Sequence, residues 1–181
     1  MNIRADLVVY AYPVRFLPAR DGGWIITCRD LPEVVSQAEA DEDRIDIAEG
    51  ALQAAIEGRV LTGGAIPAPS PARRGEIEVS LPVETAAKAA LYSAMQEVGI
   101  SKSELAKRLN VNEKEARRLL DPKHPSKLTR VSDALAVLGR RMQVSVYTNT
   151  GEYRAPAHRK PPVASESASR TAVGSRARMK R

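Results

Sequence analysis

The hydrophobic periodicity changes along the chain, and this change limits the folds that it can adopt. Residues 12–38 contain three runs typical of strands, YPVRFLP, WIITCRDLP and EVVSQA, with a hairpin turn predicted at Asp21-Gly22-Gly23. From Asp41 to about residue 61 the apolar residues recur at helical spacing, whereas EIEVSLP alternates again as a strand does. Helical spacing then continues up to residue 138, and RMQVSVYT at 141–148 has the pattern of a final strand. The sequence therefore predicts an α+β fold.

Glycine and proline residues mark where these elements end. The first helix should stop at Gly63-Gly64, and AIPAPSPARRG, with three prolines, predicts an extended connector over residues 65–75. A second helix is expected from Val83 to about residue 98, ended by Gly99. The last helix is expected from Thr129 to Gly139.

Charge is distributed unevenly over the chain. Residues 1–75 carry 8 Lys+Arg against 11 Asp+Glu, residues 76–148 carry 12 against 9, and residues 149–181 carry 8 against 2. We therefore expect an acidic domain over residues 8–81, a basic domain over 83–147 and a disordered basic tail over 149–181. An acidic surface suits a basic protein partner, whereas clustered Lys and Arg residues suit a polyanion.

The stretch from Ser101 to Leu120 predicts two short helices that meet at a tight turn. Ser101 or Ser103 can cap the first helix, NVN interrupts it, and EKEARRLLD forms the second. The side chains expected to be buried are Leu105, Ala106, Val111, Ala116, Leu119 and Leu120. The small side chain of Ala106 should let the two helices cross closely. This pattern is typical of a helix-turn-helix, in which the second helix enters the major groove of DNA.

Polar residues on or beside the second helix are the candidate DNA contacts. Arg and Asn suit bidentate contacts with guanine and adenine, whereas Lys mainly supplies charge to the phosphate backbone. The predicted DNA-binding residues are Ser101, Lys102, Asn112, Glu113, Lys114, Arg117, Arg118 and Lys123. A helical hairpin with a solvated basic side is the simpler interpretation. A ribbon-helix-helix is a second alternative, with EIEVSLP as its dimer-forming strand, but Glu76 and Glu78 would then face phosphate.

Reactive side chains form no recognisable catalytic pattern. His124 and His158 have no Cys or His at metal-ligand spacing, and phosphate-binding glycine loops are lacking. We therefore predict no enzyme activity, no metal and no cofactor. The alternative is a metal-dependent nuclease in which carboxylates at strand ends, Asp21, Asp30 and Glu33, hold a divalent cation.

The single cysteine and the lack of long apolar runs indicate the compartment. Cys28 cannot form an internal disulfide, which fits a reducing environment, and its position in WIITC predicts a buried thiol. No apolar run approaches the roughly 20 residues that span a bilayer, and the N-terminus lacks the pattern of a signal peptide. We expect a soluble cytoplasmic protein with no membrane partner.

Taken together, these elements resemble the HicB family of antitoxins over residues 8–147. The resemblance lies in their order: a strand before a Gly-rich turn, an aromatic-led strand that closes in DLP, a VVSQA strand, an acidic helix cap and the connector IPAPSPARRGEIEVSLP before the helix-turn-helix. The basic tail lies outside this resemblance.

The resemblance implies both a partner and a mechanism. In this family a partial RNase H-like domain binds and masks a small basic ribonuclease toxin of the HicA type, which cleaves mRNA, while the C-terminal domain dimerises and represses the operon by binding operator DNA. It thus implies a homodimer, with a tetramer left open, and dimer pairing at the last strand. Charge and loop position suggest Asp21, Trp24, Asp30 and Glu33 as toxin-facing residues. A solitary transcriptional regulator without a toxin is the alternative.

Overall fold

The described part of the chain consists of a small sheet with one helix, followed by four further helices. The computed structural model describes residues 7–20 and 22–146. The strands are β1 (Ala11–Pro18), β2 (Trp24–Cys28), β3 (Val35–Ala38) and β4 (Glu76–Ser80). The helices are α1 (Arg44–Thr62), α2 (Val83–Val98), α3 (Lys102–Leu109), α4 (Glu113–Leu120) and α5 (Leu128–Ala136). The predicted α+β class is confirmed.

The four strands form one antiparallel sheet in the order β3-β2-β1-β4. Tyr12 lies opposite Val79 and Val14 opposite Cys28, so these side chains share the sheet face that α1 covers. The predicted burial of Cys28 is confirmed at 4% exposure, and this burial raises the pKa of its thiol. β4 pairs with β1 of the same chain as the edge strand of this sheet, whereas the ribbon-helix-helix alternative requires an isolated strand before its two helices.

Helix α1 begins and ends at residues suited to those positions. The carboxylate of Asp43 accepts a hydrogen bond from the backbone N–H of Ile45 at 2.9 Å, which caps the first turn. Gly63 ends the helix with φ of 78°, a conformation that glycine adopts without strain. Between these caps Ala48, Leu52 and Ile56 recur on one side and are buried against the sheet.

Two hydrophobic clusters stabilise the protein. The sheet cluster lies between the four strands and α1, and the helical cluster lies among α2, α3, α4 and α5. Partly buried Ile66 packs against both clusters, which belong to one compact unit. The domain boundary near residue 82 stays a prediction. Within the described part of the chain, no helix is long and apolar enough to cross a membrane.

The predicted final strand is wrong for the residues that the structure describes. Residues 141–146 form no strand, and Val146 is 94% exposed, although Met142 packs against the helical cluster. An apolar alternation becomes a strand only when a neighbouring strand accepts its backbone hydrogen bonds, and none of the four described strands pairs with this segment. Residues 147 and 148 and the predicted tail at 149–181 lie outside the described residues.

Candidate nucleic-acid interface

The short helices α3 and α4 begin at polar caps and meet at a tight turn. Of the two predicted capping serines, Ser101 precedes α3, and its Oγ accepts a hydrogen bond from the N–H of Glu104 at 3.1 Å. Asn112 caps α4 by accepting one from the N–H of Glu115 at 2.8 Å. Asn110 ends α3 in the left-handed conformation, with φ of 52°, which asparagine tolerates better than most residues. These caps fix where each helix starts relative to the other.

The buried side of the α3–α4 pair consists of small and branched apolar residues. Ala106 is 4% exposed and Ala116 is fully buried, so that the two helices can approach closely. Five of the six side chains that the sequence predicts to be buried are buried, and the sixth, Val111, is half-buried. This packing leaves the other side of α4 to solvent.

The exposed side of the pair is rich in charged residues. The predicted DNA contacts Ser101, Lys102, Asn112, Glu113, Lys114, Arg117, Arg118 and Lys123 are all exposed. Glu113 and Arg117 form an ion pair one turn apart, and the hydrogen bond from Arg117 lowers the pKa of the Glu113 carboxyl. The Arg117 side chain is nevertheless 66% exposed, so it can exchange this carboxylate for another acceptor.

A groove of about 350 Å³ lies between α4 and the start of α5. The charged side chains that line it are Lys114, Glu115, Arg118, Lys127 and Arg130. Glu115 and Arg130 form an ion pair that joins the two helices. Lys127 and Arg130 are not among the predicted DNA contacts, although they lie beside two of them.

A buried lysine on α2 holds the loop between α4 and α5. The Lys88 side chain is 3% exposed, and its ammonium donates hydrogen bonds to the carbonyl oxygens of Asp121, at 2.7 Å, and of His124. A carboxylate oxygen of Glu84 lies 3.5 Å from the same ammonium and accepts a hydrogen bond from the N–H of Ser126 at 2.8 Å. Two residues one turn apart on α2 therefore fix the loop at three points.

The spacing of apolar residues in α2 could have predicted that Lys88 is buried. Lys88 precedes Leu91 and Tyr92 by three and four residues, so it lies on the apolar side of α2. A lysine at such a position needs hydrogen-bonding partners once it is buried. The partners themselves lie 33 and 36 residues further along the chain, and no local pattern identifies them.

In the sheet, the predicted toxin-facing residue Trp24 packs beside a cation. The guanidinium carbon of Arg44 lies 4.3 Å from the centre of the Trp24 ring and 5.2 Å from that of Phe16, within the range of cation–π attraction. Because Arg44 is the first residue of α1, this stack ties the start of the helix to β1 and β2. Trp24 itself is partly exposed.

The other toxin-facing candidates that the structure describes are engaged within the chain. Both carboxylate oxygens of Asp30 accept hydrogen bonds from Ser70, at 2.7 Å from its N–H and at 2.7 and 2.9 Å from its Oγ. Glu33 pairs with Arg59, with 3.0 Å between Oε2 and Nη2, and this bonding lowers the pKa of its carboxyl. Asp21 lies outside the described residues. Over the described ranges no group of three or more His, Cys, Asp or Glu residues could hold a metal ion.

The connector over residues 65–75 contains no helix or strand, and hydrogen bonds anchor it along its length. Two tyrosine hydroxyls donate hydrogen bonds to backbone carbonyl oxygens here, Tyr92 to Gly64 at 3.0 Å and Tyr12 to Pro67 at 2.9 Å. Two arginines do the same, Arg59 to Ala65 at 2.6 Å and Arg29 to Pro71 at 3.1 Å. Tyr12 belongs to the sheet cluster and Tyr92 to the helical cluster. The connector is therefore fixed to both clusters.

These features define an α+β protein in which a small antiparallel sheet with one covering helix is joined to four helices that expose a basic side. A family model described as the HicB-like antitoxin of bacterial toxin-antitoxin systems matches residues 11–90. Antitoxin HicB of Pseudomonas fluorescens (strain Pf0-1) is 33% identical over 140 residues, which cover 77% of this chain and 95% of the relative. Antitoxin HicB of Escherichia coli (strain K12) is 30% identical over 133 residues, which cover 74% of this chain and 96% of the relative. The chain therefore belongs to the HicB antitoxin family, as the resemblance of its elements predicts.

Proposed function

We propose that this protein is an antitoxin that neutralises a small basic ribonuclease of the HicA type and represses its own operon by binding operator DNA. It acts in the cytoplasm as a homodimer, masks the toxin by occlusion and has no catalytic activity of its own. The observation that carries the repressor role is the capped α3–α4 pair with its exposed basic side. Membership of the HicB family supports the toxin-binding role.

For operator binding, α3 and α4 act as a helix-turn-helix. Helix α3 braces the unit, and α4 enters the major groove with Asn112 at its start. Arg117 and Arg118 supply guanidinium groups for guanine, whereas Lys102 and Lys123 contact phosphates. The Glu113–Arg117 ion pair opens on binding, since its arginine is already largely exposed.

For dimerisation, we propose that residues 141–146 pair with the same segment of a second copy. In the single chain this segment exposes Val144 and Val146, and none of the four described strands pairs with it. A second copy supplies the missing neighbour, and the resulting two-fold axis matches a palindromic operator.

For toxin binding, we propose the surface around Trp24, Glu33 and the turn before α1. That turn exposes Glu39, Asp41, Glu42 and Asp43, whose charge complements a basic toxin. Asp21, in the hairpin before Trp24, is proposed to extend this surface. Asp30 acts on it indirectly, through the connector residue Ser70.

Operator binding is tested by titrating the full chain into its own upstream DNA and measuring fluorescence anisotropy. The Arg117→Ala/Arg118→Ala variant should lose about 1–3 kcal/mol for each base contact removed. The control is Arg73→Ala/Arg74→Ala, which removes the same charge from exposed positions in the connector. Equal affinity of the two folded variants would contradict the proposed role of α4.

Toxin binding is tested by co-expression with the small basic protein encoded beside this gene. Toxicity of that protein alone, and its loss on co-expression, is the expected result. Glu33→Gln should weaken the complex relative to Glu78→Gln, which removes an exposed carboxylate from β4. Operator binding without such a neighbouring gene would instead identify a solitary regulator.

A further inference from the structure

We propose that the groove between α4 and α5 is a phosphate-binding site for duplex DNA, in which Lys127 and Arg130 contact the sugar-phosphate backbone. The inference rests on the proposed operator binding and adds a contact surface outside the two helices of the helix-turn-helix. It concerns the strand of DNA that flanks α4 when that helix lies in the major groove.

The groove has a net positive charge, which suits a phosphate group. Four cationic side chains line it, Lys114, Arg118, Lys127 and Arg130, against the single carboxylate of Glu115. A helix in the major groove has a phosphate backbone on each side of it, and Lys and Arg beside the helix neutralise those phosphates. Since Lys114 and Arg118 belong both to α4 and to the groove, the groove continues the proposed DNA surface toward α5.

The loop that forms one side of the groove is held in place by α2. Lys127 precedes the first residue of α5, and the loop before it is held by the buried Lys88 and by Glu84. Side chains on an anchored loop lose less conformational freedom on binding than those on a loose one. The backbone at Lys127 is therefore held in place beside α4.

The ion pair between Glu115 and Arg130 carries the third step. It neutralises Arg130 in the free protein, although the Arg130 side chain is 48% exposed. A phosphate that enters the groove can replace the carboxylate as the partner of Arg130. Glu115 then weakens DNA binding, whereas Arg130 strengthens it.

This difference in sign gives the first experiment, because both Glu115→Gln and Arg130→Gln break the same ion pair. If the pair only stabilises the fold, both variants should bind operator DNA equally well or both more weakly. The groove proposal requires opposite results: higher affinity for Glu115→Gln and lower affinity for Arg130→Gln. Asp133→Asn, which removes an exposed carboxylate of α5 that does not line the groove, controls for net charge and should change affinity less than Glu115→Gln.

The second experiment measures salt dependence with Lys127→Gln/Arg130→Gln. Each phosphate contact contributes about 0.9 to the slope of log K against log salt concentration, so loss of two contacts reduces the slope by about 1.8. Between 50 and 200 mM salt, the unmodified protein should then lose about twelvefold more affinity than the variant. The preference for operator over unrelated duplex DNA should stay the same, because phosphates carry no sequence information.

The outcomes separate this inference from the proposed function. A slope equal to that of Arg73→Gln/Arg74→Gln, with normal operator affinity, would overturn the groove site and leave operator binding intact. Failure of the unmodified protein to bind duplex DNA would overturn both. Melting temperatures of all variants establish that each is folded before binding is measured.

Discussion

Replacement of Lys88 by methionine tests whether the loop after α4 depends on one buried ammonium. Methionine keeps most of the length and volume of the side chain but removes the charge and its donors. In the native protein this ammonium donates to two backbone carbonyls and lies 3.5 Å from the Glu84 carboxylate, with the lysine side chain 3% exposed. The variant therefore removes these contacts without creating a large cavity.

The expected loss of stability follows from two opposing effects. A hydrogen bond to a charged group contributes about 1.5–3 kcal/mol, and two carbonyl oxygens lose such a donor. The variant also removes the cost of burying an ammonium, which offsets much of that loss. Because Glu84 is half-exposed, it can be solvated when its partner is absent. We expect a net loss of about 1–3 kcal/mol, equivalent to a decrease of about 4–12 °C in Tm for a folded unit of this size.

Thermal melting followed by circular dichroism measures this effect. The matched control is Lys107→Met, which makes the same chemical change at an exposed position on α3. Hydrogen exchange should also be faster at the amide of Ser126, which Glu84 otherwise protects. If the two variants melt at the same temperature, the loop does not depend on the ammonium and the reasoning is refuted.

Three further predictions, which use four substitutions, concern the sheet and α1. Gly22→Ala and Gly23→Ala both place a side chain at positive φ, at a cost of about 1–2 kcal/mol each. Only at Gly23 would the new Cβ also come 2.3 Å from a backbone oxygen of β3, so Gly23→Ala should have the lower Tm. Equal Tm values would refute the clash. Leu52→Ala should cost about 2–5 kcal/mol in urea unfolding, because this fully buried side chain fills the space between α1 and the sheet. The hydrogen bond from Arg59 lowers the pKa of Glu33 in the folded protein. The stability that this pair contributes is therefore present above the unfolded pKa of Glu33 and is lost as the pH falls through the folded pKa. Glu33→Gln should make the free energy of unfolding depend less on pH in acid.

Local patterns in the sequence predict most elements of this fold. The glycine that ends α1 at residue 63 and the cap at Ser101 are signals that act within a few residues, and the structure contains both. The apolar side of α4 also follows from spacing, since Ala116, Leu119 and Leu120 are buried. These features could be predicted because each is determined by neighbours along the chain.

The features that sequence reasoning missed depend on contacts between distant residues. Lys88 is buried because the loop after α4 comes to it, and Arg130 becomes part of a groove because α5 returns beside α4. The strand predicted at 141–146 also depends on a distant contact. Its apolar and polar residues alternate as in a strand, but none of the described strands pairs with it. Periodicity determines which side of an element is apolar, and only the tertiary fold determines what covers it.

The anchored connector has a consequence for how the two proposed activities are combined in one chain. A flexible linker would let a toxin-bound sheet move independently of the DNA-binding helices. Here Tyr12 of the sheet cluster and Tyr92 of the helical cluster hold carbonyl groups three residues apart, at 2.9 and 3.0 Å. If the proposed function holds, a toxin bound to the sheet would be held at a fixed position relative to the helical cluster, and the shape of that complex would limit which operator spacing a pair of antitoxins can span.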